Sequence, residues 1–310
     1  MRVTDLLLDF LPLKRQILRT GARLPPRFRN DILTRGLSAL ARRFGDASDV
    51  ETNMGIDASL KCRLPLDKGS WIFGLPEHYV GERGALALLA ALGKQSDAIL
   101  DVGAHVGYFS YYLAKRVPSS VPIYYFEPDP TLFAIIEKNV RSNRLDNLVG
   151  FKEAMGARTG RATFFQNLSD TFSGSLDSGF VGAHDTREIA VQVRSFDDFS
   201  RDIGKENLCV KVDIEGAEQQ FVDGAKSEWW RIADLVIEVL GPAYYGGFVK
   251  RLIDETGMHA YHINDYVLER SVDGKFTPNA QQYNWLFTRK SPSALREALA
   301  GSMLSVRADQ

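Results

Sequence analysis

From position 98 onward the chain alternates short apolar runs with amphipathic stretches, and this alternation restricts the fold more than any other feature. Ala98–Val102, Pro122–Phe126, Leu148–Ala154, Leu208–Val212, Leu235–Leu240, His259–Ile263 and Tyr283–Thr288 read as strands. Tyr108–Lys115, a stretch opened by Asp129-Pro130, a stretch from Ala217 and Phe248–Thr256 read as helices between them. Asp129 offers an N-cap and Pro130 the first helical position. Parallel strands need long crossover connections, so the expected fold is α/β, with a mostly parallel sheet covered on both faces. A ligand would lie beyond the carboxyl ends of its strands. Glu82–Leu92 reads as a helix leading into this core. Ala162–Phe165 and Ile189–Val193 suggest further strands around a polar loop, whose Ser169–Ser175 stretch serves equally well as a pocket wall or a solvated connector.

Three successive strand ends carry groups suited to a nucleoside. The first ends in Asp101-Val102-Gly103-Ala104-His105-Val106-Gly107, where glycines let backbone approach a ligand. The second ends in Phe126-Glu127-Pro128, and an acid at that position can bind both ribose hydroxyls. The third ends in Glu153-Ala154, at the expected edge of an adenine ring. The spacing G-x-x-x-G differs from the G-x-G-x-x-G that meets a dinucleotide pyrophosphate. An acid two residues before Gly103 would repel a pyrophosphate, whereas S-adenosylmethionine (AdoMet) carries an ammonium to pair with it. No G-x-x-x-x-G-K-[ST] motif occurs, so a P-loop nucleotide site is not supported.

Together with these, Ser195-Phe196-Asp197-Asp198-Phe199 and Lys211-Val212-Asp213-Ile214-Glu215-Gly216-Ala217-Glu218 resemble the FkbM-type methyltransferases over roughly residues 80–290. The resemblance implies the class I AdoMet-dependent fold: a Rossmann-like three-layer sandwich with a mostly parallel seven-stranded sheet and a late antiparallel strand. It also implies O-methylation of sugar or natural-product hydroxyls. The cofactor residues it suggests are Asp101, Gly103, Ala104, His105, Gly107, Glu127, Pro128, Glu153 and Ala154. His105 departs from the Asn common in the family; it could hydrogen-bond the methionine part of AdoMet or act as a base.

Lys211 and Asp213 lie two apart on a strand and share a face, with Glu215 at its carboxyl end. Asp213 is the candidate general base, with Lys211 or Glu215 orienting the acceptor hydroxyl. In-line transfer needs the acceptor oxygen about 3 Å from the methyl carbon and help with proton loss. The bland alternative is a Lys211–Asp213 ion pair, with Glu215 and Glu218 serving the next helix N-terminus; for Glu218 it is preferred. Asp213, Glu215 and Glu238 could also converge on Mg²⁺, but no spacing requires a metal and none is the favoured assignment. His259 and His262 read as packing or surface residues, while His78 and His184 are scattered. Trp229, Trp230, Tyr244 and Tyr245 are candidates for stacking on a sugar, or for packing. An N-methyltransferase would show an Asn/Asp-Pro-Pro-aromatic turn where this chain has Asp213-Ile214-Glu215-Gly216. A nicotinamide-dependent oxidoreductase and a non-catalytic nucleoside-binding module are the alternatives to an O-methyltransferase.

Charge divides the chain. Residues 1–45 hold ten Lys/Arg against three Asp, a net +7, which leaves −8 for the remainder of a chain whose total is −1. The acidic remainder argues against nucleic acid, and the expected partner is a small-molecule or glycan acceptor. The basic leader reads as short helices broken at Pro12 and Pro25-Pro26, mainly a solvated face, with peripheral contact to an anionic membrane as the alternative. No apolar run reaches the roughly 20 residues of a transmembrane helix. Asp5 and Asp9 flank Leu6-Leu7-Leu8 with no cleavage site following, which disfavours a signal peptide. Two cysteines, Cys62 and Cys209, fit a reducing, cytoplasmic setting. The expected organisation is a helical and hairpin extension over 1–80, the methyltransferase domain over 81–290 and a tail over 291–310. Oligomeric state is not legible.

Overall fold

The structure, a computed structural model, describes residues 49–65, 82–167, 174–181, 186–239, 247–275 and 283–307. The expected N-terminal helices, His78, His184, Tyr244, Tyr245, Leu240 and most of the Ser169–Ser175 loop lie outside these residues.

The central sheet is built from β3 (Ala98–Val102), β4 (Ile123–Phe126), β5 (Leu148–Phe151), β9 (Leu208–Val212), β10 (Ile232–Glu238), β11 (His259–Asn264) and β13 (Asn284–Thr288). Their spatial order is β11-β13-β10-β9-β3-β4-β5, with β13 antiparallel to both neighbours. These are the seven strands and the late antiparallel strand expected from the sequence. Two more extend the edge to nine. β12 (Val267–Ser271) folds back on β11 through a tight turn in which Asp265 takes a left-handed conformation, φ 51°. β14 (Ser305–Arg307) then pairs with β12 in parallel. α8 (Pro292–Ala298), between β13 and β14, buries Leu295. Before the core, β1 (Asp49–Thr52) and β2 (Cys62–Pro65) form the expected hairpin.

β3 and β9 are buried along their whole length, because their side chains alternate between two separate cores. Ile99 and Cys209 face one core with α1 (Arg83–Gly93), α2 (Tyr108–Ala114) and residues of α3 (Pro130–Asn143). Leu100, Val102, Val210 and Val212 face the other with α5 (Phe196–Ile203), α6 (Glu218–Asp223) and α7 (Phe248–Thr256). The Ser195–Phe199 motif is structural. Ser195 caps α5 by accepting from the Asp198 N–H, and Phe196 and Phe199 are buried. Phe199 sets its edge against Phe126, centroids 4.9 Å apart, within the range of favourable aromatic pairs.

One expected strand is corrected. Leu148–Ala154 is not continuous: β5 ends at Phe151, and β6 (Glu153–Met155) joins a separate sheet with β7 (Gly160–Asn167) and β8 (Thr186–Arg194). The order in that sheet is β6-β8-β7. β7 and β8 contain the two further strands expected from the sequence. The break has a local cause, since β6 finds its ladder partner in β8, with Glu153 opposite Gln192, and leaves β5 with β4 alone. Short α4 (Ser178–Val181) lies between β7 and β8.

Candidate active site

A cavity of about 340 Å³ opens beyond the carboxyl ends of β3, β4, β9 and β10, and the β6-β8-β7 sheet walls one side through Phe164, Gln166 and Asn167. Of the expected cofactor residues, Gly103, Ala104, His105, Glu127, Pro128, Glu153 and Ala154 line it.

The turn after β3 is held by its backbone. Gly103, His105 and Gly107 all have left-handed φ, at 81°, 54° and 87°. His105 in this conformation explains why its position suits Asn, the residue that best tolerates it after glycine. Its backbone N–H donates to Glu127 Oε2 at 2.8 Å. The Asp129 N–H donates to Glu127 Oε1, also at 2.8 Å. Each oxygen of a carboxyl that is 5 % exposed is thereby fixed. Burial pushes Glu127 up to about 8, outweighing the two backbone donors. Asp129 caps α3 as expected, accepting from the Thr131 and Leu132 N–H groups, and its second oxygen accepts from Gln166.

Gly103 has a reason to be glycine that the sequence alone did not disclose. A Cβ there would stand 1.9 Å from the Asp213 carbonyl oxygen, so the turn after β3 and the turn after β9 pack backbone to backbone.

Asp101 is not among the lining residues. It is fully buried behind the turn, accepting from Ser110 Oγ at 2.6 Å and lying 3.3 Å from Lys211 Nζ. The physical reason is register: Asp101 and Lys211 are direct partners on the parallel β3–β9 pair. The expected pairing of Asp101 with an AdoMet ammonium therefore gives way to an internal ion pair. Lys211 Nζ also donates to the Gly103 carbonyl at 2.9 Å, approaches Asp213 Oδ2 at 3.4 Å and sits over the Phe109 ring. Burial alone would depress this ammonium, but the Asp101 and Asp213 carboxylates outweigh it and hold it above the ordinary lysine range. Lys211 is thus a strut between the two turns, and both the ion pair and the shared face expected from the sequence are present.

Asp213, Glu215 and Glu238 all line the cavity. Glu215 and Gly216 are both left-handed, φ 51° and 97°, which turns the chain sharply. Glu218 holds that turn, as expected of it, by accepting from the Ile214 and Gly216 N–H groups. Among the described residues no group of three or more His, Cys, Asp or Glu is placed to hold a metal ion. Glu153, which opens β6 rather than ending a core strand, is held by Arg194 at 2.8 Å.

Glu82, immediately before α1, is a lining residue that the sequence shows only as a helix start. Asn284 Nδ2 donates to it at 3.1 Å, and burial followed by the nearby Asp213 pushes it up to about 7. Its one sequence signal is an acid ahead of an apolar helix. Trp229 and Trp230 lie in a short turn at the amino end of β10, away from the cavity, with Arg231 over the Trp230 ring. Neither lines the cavity. His262 is buried against Trp285 and His259 opens β11, both packing positions as expected.

A doubly covered sheet with a cavity at its switch point, an acid fixed at the end of β4 and a glycine turn at the end of β3 define a Rossmann-like α/β protein with a candidate ligand site at the strand ends. The chain belongs to the FkbM methyltransferase family: the methyltransferase FkbM domain matches residues 101–271. It is 28% identical over 156 residues to Methyltransferase 1 of Beauveria bassiana (strain ARSEF 2860), covering 45% of this chain and 62% of that protein. It thus spans about three-fifths of that relative's length. It is 26% identical over 193 residues to Methyltransferase sdnD of Sordaria araneosa, covering 51% and 72%. Among solved structures it is similar to the METTL16 MTase domain, at 10% identity and TM-score 0.44, covering 76% of this chain and 75% of that one. It is also similar to M. jannaschii TYW2 in complex with AdoMet, at 14% identity and TM-score 0.38, covering 78% and 84%.

Proposed function

We propose that this chain is an AdoMet-dependent O-methyltransferase acting on a hydroxyl of a sugar, glycoconjugate or natural product. The observation that carries the reading is the carboxyl-rich wall of the cavity, which offers acceptors for hydroxyl, ammonium and sulfonium groups and almost no counter-charge for an anion. Among the described residues, seven carboxyl groups line it (Glu82, Glu127, Asp129, Glu153, Asp213, Glu215 and Glu238) against one ammonium, Lys211, which is already engaged by Asp101, Asp213 and the Gly103 carbonyl. Such a wall suits a cofactor bearing a sulfonium and an ammonium. It opposes a pyrophosphate, which disfavours the nicotinamide alternative.

In this reading Glu127 accepts from the ribose hydroxyls with the lone pairs its backbone donors leave free. Glu153, Ala154 and Met155 border the adenine. The Gly103–Gly107 turn receives the methionine portion. Asp213 accepts the acceptor proton, Lys211 holds Asp213 in place, and Glu215 orients the hydroxyl. The cofactor, when bound, supplies an electrophilic methyl group. Free, buried Cys62 and Cys209 accord with a cytoplasmic setting.

Isothermal titration with AdoMet, S-adenosylhomocysteine and NAD tests the cofactor. Micromolar-range binding of the first two, abolished in Glu127→Ala, supports it. No binding of either, or a preference for NAD, overturns it.

A further inference from the structure

Asp213 and Glu238 are a pair built by the sheet. β9 and β10 run parallel with Val212 opposite Ile237, so the next residues, Asp213 and Glu238, stand abreast on the same face. Both line the cavity, and Asp213 acts directly on Glu238 to raise it. Two carboxyl groups side by side in a buried site hold one proton between them more readily than they ionise together. We propose that the Asp213–Glu238 pair is the proton acceptor of methyl transfer, holding a shared proton while Lys211 is the one cation near it and releasing that proton when a sulfonium enters. The proposal rests on the AdoMet reading above and adds Glu238 to the catalytic residues.

The proton belongs on the Glu238 side. Burial, then Asp213, Glu82 and Glu215, push Glu238 well above the carboxylate range. The groups facing the pair are Glu82 ahead of α1, Lys211 and Glu215 on β9 and its turn, Asp101 through Lys211, and from β13 the neutral amide of Asn284. Lys211 is the one cation among them, and it is shared with Asp101. A sulfonium beside the pair would favour its fully ionised form.

Charge then balances through the reaction. The acceptor oxygen gains the methyl group as the sulfur–methyl bond breaks, the hydroxyl proton passes to the pair, and the sulfur leaves as a neutral thioether. Sulfonium plus dianionic pair carries one net negative charge, and thioether plus singly protonated pair carries the same. No charge is created in the buried site, which a low dielectric would penalise.

Proton release can be read without an acceptor. Titrate the protein at pH 7 with AdoMet and with S-adenosylhomocysteine in two buffers of different ionisation enthalpy, and compare the protons exchanged. Both ligands carry the same ribose and ammonium, so protons from Glu127 cancel in the difference. Wild type should release about one proton more with AdoMet than with the thioether. That difference should vanish in Glu238→Gln and persist in Glu82→Gln. Should Glu238→Gln not fold, Asp213→Asn removes the same shared proton and should also erase the difference. Equal release for both ligands in wild type, or a difference that survives the amide at Glu238 or Asp213, overturns the proposal. Failure of both ligands to bind wild type would instead sink the AdoMet reading, and this inference with it.

Discussion

Glu127 gives a quantitative pH dependence. Its carboxyl is ordinarily near 4.5 and is pushed up to about 8 in the folded chain by burial. The folded state therefore binds the proton more tightly than the unfolded state. The associated stability is complete below 4.5 and is lost as pH rises towards about 8. Each tenfold difference in proton affinity is worth about 1.4 kcal/mol, so the loss between pH 5 and 8 comes to about 3 to 4 kcal/mol. Glu127→Gln removes the titration and keeps the shape. It forfeits one hydrogen bond, because an amide nitrogen cannot accept from the His105 or Asp129 N–H, at a pH-independent cost of about 1 kcal/mol. Urea unfolding of both proteins at pH 5, 6, 7 and 8 isolates the slope, since Glu82 and Glu238 titrate in both and cancel. The variant should gain about 3 to 4 kcal/mol on wild type across that range. Stability curves that stay parallel within about 1 kcal/mol would refute the claim that this carboxyl is buried with its proton.

Other consequences follow from single contacts. Lys211→Met leaves Asp101 fully buried without its cation and should cost about 3 to 5 kcal/mol; denaturant midpoints should show most of that recovered in Lys211→Met/Asp101→Asn. Gly103→Ala drives a Cβ to 1.9 Å from a backbone carbonyl and should lower the thermal midpoint by well over about 5 °C, with a loss of several kcal/mol. At position 105, Asn should leave the midpoint unchanged or raise it, whereas Val, β-branched in a left-handed conformation, should cost about 1 to 2 kcal/mol.

The parts legible in the sequence are those that local chemistry marks. The Asp101–Gly107 turn, the Asp129-Pro130 helix start and the acids at 127 and 213 sit where apolar runs stop, and the structure brings them to one end of the sheet. What stayed hidden depends on register between distant strands. Asp101 lies on a strand buried on both faces, so alternation alone could not tell a cavity-facing acid from one aimed at Lys211, 110 residues on. The Asp213–Glu238 pair likewise exists because Val212 meets Ile237. Lys152 carries no breaker signal, so the departure of Glu153 into the second sheet is decided by the ladder that β8 offers.

The close packing of Gly103 on the Asp213 carbonyl has an evolutionary side. The turn after β3 and the turn after β9 form one block, its spacing set by main-chain contact at Gly103 and braced by the Lys211 side chain. The wall opposite comes from the β6-β8-β7 insertion, with its own small core of Ala154, Phe164, Val191 and Val193. In the proposed reading, substitutions at Phe164, Gln166 or Leu176 would reshape the cavity wall that packs on Ala154 beside the adenine, while the block of the two turns stays as it was. A scaffold divided in this way can change the fit of one wall without disturbing the two turns.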